Sequence, residues 1–192
     1  MANKDAAFGL KAIGKVGQNR DNQGLSEYSI AASATAIYQG DPVEMLATGT
    51  IGVAAAGDTL LMGPLTGVFY TDASTSKPTW ANHLNASNTA TDIVGFVSDD
   101  PYERFEIQSN NAGASNANDV FAVADIAYAA GSTPDYISGV ELNDSTIANG
   151  SSATLQILGA SKDPSNNDVG SANVNWVVRI NEHELDMNVN GV

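Results

Sequence analysis

The chain has 192 residues and 43 % of them are hydrophobic, enough for a core and too many for a wholly disordered protein. It has no cysteine, which excludes disulfides, thiolate-bound zinc or iron–sulfur centres and cysteine nucleophiles. Its 22 acidic and 8 basic residues leave a net charge of −14, so the surface as a whole repels nucleic acid.

The charge is unevenly placed. Lys4, Lys11, Lys15 and Arg20 fall in the first 20 positions with Asp5 as the only acid, so that stretch carries +3 and the other 172 residues carry −17. Residues 1–14 contain no continuous apolar stretch and are not expected to act as a secretory signal. No apolar run reaches the roughly 20 residues of a membrane-spanning helix, and no membrane partner is expected. Gly9, Gly14 and Gly17 each weaken a helix by about 1 kcal/mol. Residues 1–22 therefore read as an extended N-terminal arm, and residues 23–192 as a single β-rich domain. One role for such an arm is docking on an acidic neighbour. Phe8, Leu10 and Ile13 would be its anchors, with Lys4, Lys11, Lys15 and Arg20 as electrostatic partners. The alternative is a frayed terminus, or the first strand of the domain's own sheet.

Farther along, short apolar runs bounded by Gly, Asn, Asp, Ser and Pro predict strands at 27–32, 42–46, 51–55, 65–70, 93–97, 103–108, 137–142, 154–158 and 174–181. That is the pattern of an antiparallel β-sandwich or barrel with at most one or two short helices. Two segments alternate well. Phe105 and Ile107 oppose Arg104, Glu106 and Gln108, and Val174, Trp176, Val178 and Ile180 share one face. Long polar loops fall at 71–92, 109–118 and 143–152. Residues 116–130 predict a short helix capped by Asn116 or Asn118, with Val120, Ala124 and Ala127 on one face, although the stretch also alternates as a strand would. Residues 154–158, a turn at 163–170 and the strand from Val174 read as a long hairpin.

Fragments of catalytic motifs occur without their context. Gly9 to Val16 approaches a phosphate-binding loop, but Val16 stands where the hydroxyl residue belongs. Ser74 and Lys77 have the S-x-x-K spacing of penicillin-recognising enzymes, but lie in a polar loop before Pro78. His183 between Glu182 and Glu184 points away from both on a strand, and it and His83 read as surface histidines. Asp99, Asp100, Glu103 and Glu106 form an acidic cluster, and Asp163, Ser165 and Asn167 echo a calcium loop that lacks its glycine. Trp176 reads as core, and Trp80 as an interface anchor, a core residue or a carbohydrate platform. No catalytic residue, metal or cofactor is expected, and the chain does not read as an enzyme.

Several phrases resemble a known group. They are residues 6–14 with Phe8, Gly9, Leu10 and Lys11; residues 40–45 with Gly40, Asp41 and Pro42; residues 95–108; residues 155–159; residues 166–168; and residues 176–183 from Trp176 to His183. Together they resemble small structural proteins of tailed bacteriophages of marine bacteria, of the capsid decoration or cement type. The resemblance implies a β-rich protein that binds the outside of the assembled head, often as a trimer, bridging major capsid protein subunits with a terminal arm. By mass action, a ligand of the assembled shell stabilises it, and bridging several subunits multiplies weak contacts. On the arm reading, deleting residues 1–22 is expected to leave the domain folded and abolish capsid binding. A tail- or fibre-associated domain that binds host glycan through Trp80 and the Asn-rich loops is the alternative.

Overall fold

The structure is a computed structural model that describes residues 2–16, 24–55, 60–110, 115–150 and 152–186. Its strands are β1 (Lys11–Lys15), β2 (Ser26–Ser29), β3 (Pro42–Met45), β4 (Ile51–Val53), β5 (Gly63–Thr71), β6 (Pro78–Ala81), β7 (Val94–Val97), β8 (Glu103–Gln108), β9 (Val123–Ala124), β10 (Ile126–Ala127), β11 (Glu141–Leu142), β12 (Leu155–Ala160) and β13 (Asn175–Ile180). The protein is mainly β, with antiparallel sheets in a sandwich-like arrangement, as the alternation and turn spacing predict.

The first sheet runs β1-β8-β13-β12-β9. Cross-strand pairs Phe105–Val178, Ile107–Trp176 and Leu155–Ile180 put the apolar members of each alternation on one face. That face, with Leu10, Leu61 and the β10–β11 ribbon's Ile126 and Leu142, makes the first core. The second sheet runs β2-β7-β5-β3-β4, with β6 on β5. Ile30, Val43, Ile51, Leu65, Val68 and Val97 form its core. Each fully buried side chain of this size contributes about 1.5–3 kcal/mol. Leu61 belongs to the first core and its neighbour Met62 to the second, so this segment ties the two together.

The hairpin at 154–181 is present, with β12 antiparallel to β13. The residues around its turn make the expected side-chain bonds: the Asp163 carboxylate accepts from the Ser165 N–H at 2.9 Å, and Asp168 from the Ser171 hydroxyl at 2.9 Å. Among the described residues no helix is long and apolar enough to cross a membrane.

The strand expected at 137–142 shortens to β11, and the loop expected at 71–92 contains β6. Two further expectations change. The helix at 116–130 is a single 3-10 turn, Ala117–Asp119, followed by β9 and β10. Asn116 does cap it in a reciprocal box with Asp119, but Val120 is already extended at φ −62°, ψ 129°. Val123, Ala124 and Ile126 are buried as strand residues in a sheet and a ribbon, and this tertiary burial overrides the local cap. The second change concerns residues 2–16, which pack on the domain itself. β1 pairs antiparallel with β8, and Leu10 is 2 % exposed within the first core. Of the two readings of this stretch, the first-strand alternative describes them. A deletion through residue 16 therefore removes a sheet edge and a core residue, and does not leave the domain intact. Residues 17–22, including Arg20, lie outside the described residues.

Candidate functional site

The basic N-terminal stretch is held by bonds that its sequence alone does not reveal. The Gln108 side chain, 1 % exposed, accepts from the Ala6 N–H at 2.8 Å and donates to the Lys4 carbonyl at 2.9 Å. Asn166, in the hairpin turn, donates to the same carbonyl at 2.7 Å. The Asn3 side chain donates to the Ala172 carbonyl at 2.9 Å. Two glycines then let two backbones cross in contact. Gly9 lies at φ +70°, and a β-carbon there would stand 2.3 Å from the Gly40 carbonyl oxygen and 2.6 Å from Ser138. Gly40 lies at φ +89°, where a β-carbon would stand 2.5 Å from the Phe8 carbonyl oxygen. The Leu10 N–H completes the crossing by donating to the Gly40 carbonyl at 2.9 Å. Gly9, one of the glycines that make a helix improbable here, is also one that the crossing requires.

Beyond the crossing lies a cleft of about 660 Å³. All five residues of β1 line it, together with Leu25, Pro64 and Thr66, and Leu10, Leu65 and Ile137 are among its apolar lining. Ile13 is 44 % exposed and Leu25 39 %. Its rim is charged. The Lys15 ammonium contacts the Asp100 carboxylate. Burial opposes ionisation of Asp100, yet the Lys15 ammonium and the Tyr102 N–H hold its carboxyl below the ordinary value. Burial pushes Glu103 above its ordinary value, against the Gly14 N–H donating to it at 3.2 Å and the nearby Lys15.

The seven expected contact residues thus separate. Leu10 is used inside the domain's own core, and Lys15 is paired with Asp100. Phe8 is half-buried on the cleft, Ile13 is open on it, and Lys11 is exposed at its edge. Lys4 is exposed near the hairpin turn. Neither Lys4 nor Lys11 has an acidic partner within ion-pair distance among the described residues. Arg20 lies outside the described residues.

The other chemical groups do not converge. Asp99 accepts from the Tyr28 hydroxyl at 2.5 Å, Asp100 faces Lys15, Glu103 faces Gly14, and Glu106 accepts from Ser161. Burial and Asp99 push the Tyr28 hydroxyl up to about 12. Ser74 and Thr75 donate to Asp72 within an exposed turn, far from the buried helix start that S-x-x-K chemistry needs. Within the stretch from Gly9 to Val16, Lys11–Lys15 is a strand paired with β8 and not a phosphate-binding turn.

The histidines differ from their expected surface positions. His183 is 1 % exposed because residues 182–184 pair alongside Leu61. Burial pushes its imidazole down, against Asp99, Asp186 and Asp100. His83 is half-buried and stacks on Tyr136 at 3.7 Å with the rings 2° from parallel. Among the described residues no group of three or more His, Asp or Glu side chains is placed to hold a metal.

Trp176 is fully buried, as expected. Trp80 is 54 % exposed, on β6. Its indole lies over Gly67, where a β-carbon would stand 2.6 Å from the ring, and against Phe96 at 4.8 Å between centroids. The sites that can be assigned on geometry are therefore two surfaces, a basic-edged cleft and an aromatic platform. No protein-family model, no curated protein and no solved structure matches the chain.

Proposed function

We propose that this chain is a capsid decoration protein of a tailed bacteriophage, bound to the outer surface of the assembled head and bridging its subunits. The observation that carries the reading is the basic edge. On a chain of net charge −14, Lys11 on an open apolar cleft and Lys4 near the hairpin turn stand exposed, with no acidic partner within ion-pair distance among the described residues. An edge of that kind selects an acidic protein neighbour, and charge steers the encounter. The contact residues in this reading are Lys4, Lys11, Ile13 and Phe8, with Leu10 and Lys15 holding the edge in place. The phrase-level resemblance to phage decoration proteins points the same way. The dispersal of the carboxylates and histidines supports a structural role.

Charge reversal tests it. Lys4→Glu with Lys11→Glu is expected to weaken binding to purified expanded heads at least about tenfold, read by co-sedimentation. Both side chains are exposed, and Lys11→Glu sets a like charge opposite Glu106 on β8, so stability in urea should change by no more than about 1 kcal/mol. Undiminished head binding by the folded double variant overturns the assignment of the contact.

A second reading rests on the Trp80 platform. An exposed indole backed by backbone and a second ring suits stacking on a neutral sugar, as a tail-associated adsorption domain requires. In that case Trp80→Ala abolishes binding to host cell-surface glycan while head binding is untouched. Retention of glycan binding by Trp80→Ala removes the reading.

A further inference from the structure

Lys15 is the last residue of β1, and its register sets it directly opposite Glu103 on β8. Residues opposed in an antiparallel pair share a face, with β-carbons about 4.5–5.5 Å apart. Asp100 is folded back beside them, because the Glu103 N–H donates to the Asp100 carbonyl at 2.9 Å. Both carboxylate oxygens of Asp100 are oriented. Oδ1 accepts from the Tyr102 N–H at 2.8 Å, and Oδ2 contacts the Lys15 ammonium. Glu103 accepts from the Gly14 N–H at 3.2 Å, next to Lys15 in the chain. The Lys15 side chain and Glu103 are largely out of water, at 11 % and 8 % exposure, and the Asp100 side chain is partly so at 34 %.

We propose that Lys15 and Asp100 condense to an internal amide, with Glu103 carrying the protons. The pair begins as ammonium and carboxylate. Glu103 takes one proton from Lys15 Nζ and passes it to Asp100 Oδ2. The freed amine attacks Asp100 Cγ, the Nζ–Cγ bond forms, and negative charge gathers on Oδ1. The Tyr102 N–H already stands at the distance from Oδ1 that stabilises an oxyanion. A second proton leaves Nζ by the same carrier, the Cγ–Oδ2 bond breaks, and Oδ2 departs as water. Ammonium and carboxylate thus become amide and water, so atoms and charge balance without a co-reactant. Burial holds the Glu103 carboxyl above its ordinary value, which suits a group that must both take and give a proton. Free amines and acids do not condense in water, but groups held in contact reach effective concentrations of about 10⁵–10⁸ M. The bond would join positions 85 apart and fasten β1, in a chain with no cysteine to make a disulfide. Closing a loop of that length restricts the unfolded chain.

Intact mass decides it. The full-length protein, purified folded and then denatured, is expected to weigh one water less than its sequence. Trypsin should release a branched peptide that holds both Lys15 and Asp100. Lys15→Arg cannot condense and is expected at full sequence mass. Glu103→Gln keeps an acceptor for the Gly14 N–H but no longer carries protons, and on refolding should condense at least about a hundredfold more slowly. A wild-type chain that keeps its full sequence mass after prolonged incubation in the folded state overturns the proposal. So does a missing water that persists in Lys15→Arg, which would place the dehydration elsewhere in the chain. Condensation of Glu103→Gln at the wild-type rate overturns the role given to Glu103.

Discussion

Gly9→Ala is expected to destabilise the chain by about 3 kcal/mol or more, and Gly49→Ala by only about 1 kcal/mol. The two positions share a left-handed backbone, at φ +70° and φ +77°. Each alanine therefore carries a similar conformational cost, about 1–2 kcal/mol for an L-residue in that region. They differ in what the new methyl meets. At Gly49 nothing lies within 4 Å, whereas at Gly9 the methyl would overlap the Gly40 carbonyl oxygen and the Ser138 side-chain stem. Neither obstacle is the loose end of a long side chain, so backbone must move, at about 1–3 kcal/mol for overpacking. Against a total stability of about 5–15 kcal/mol the difference is large. It is read as a shift of the urea midpoint at unchanged slope. Equal costs at the two glycines would mean that the N-terminal segment does not cross the 40–41 turn in contact.

Trp176→Ala is expected to cost about 3–5 kcal/mol, the usual range for emptying a buried aromatic site. Trp176 is fully buried in the first core, between Ile107 on β8 and Ala160 on β12. Its indole N–H has no hydrogen-bond partner among the described residues. Trp176→Phe therefore loses volume without orphaning an acceptor and should cost less than half as much as the alanine change. Chemical denaturation of the pair checks this. A phenylalanine variant as damaged as the alanine one would show that the indole nitrogen is bonded after all.

The β-class and the hairpin were legible because they depend on local signals. Residues 103–108 have the same bounds in sequence and structure, since their alternation puts Phe105 and Ile107 on the side that becomes core. The Asp163 turn needs only its own side chains. Less local features were hidden. β1 has a glycine and a single β-former, Ile13, and it becomes a strand because Leu10 has a core to enter and β8 has an edge to cover. β6 begins with Pro78 in a polar stretch, where proline is tolerated as the first residue of a strand. His183 is buried by one isolated bridge to Leu61, over a hundred positions away, and no periodicity signals that.

The cleft shows the same division. Its basic residues stand out in the sequence, and Ile13 and Phe8 do lie on it. Which of them are exposed, and which are bound within the domain, follows from two crossing glycines and from the buried amides of Gln108 and Asn166. Those bonds turn a segment that reads as a free arm into a fixed, open sheet edge. A fixed edge loses less conformational entropy on binding than a flexible arm does, so fewer contacts suffice.

The most direct measurement is a cryo-EM map of purified phage particles containing this chain, with copy number and position read from the density. The account predicts hundreds of equivalent copies on the outer head surface, each with β1 and its cleft against a neighbouring subunit. A few copies confined to the tail, or a head-bound chain whose β1 edge faces solvent, would contradict it.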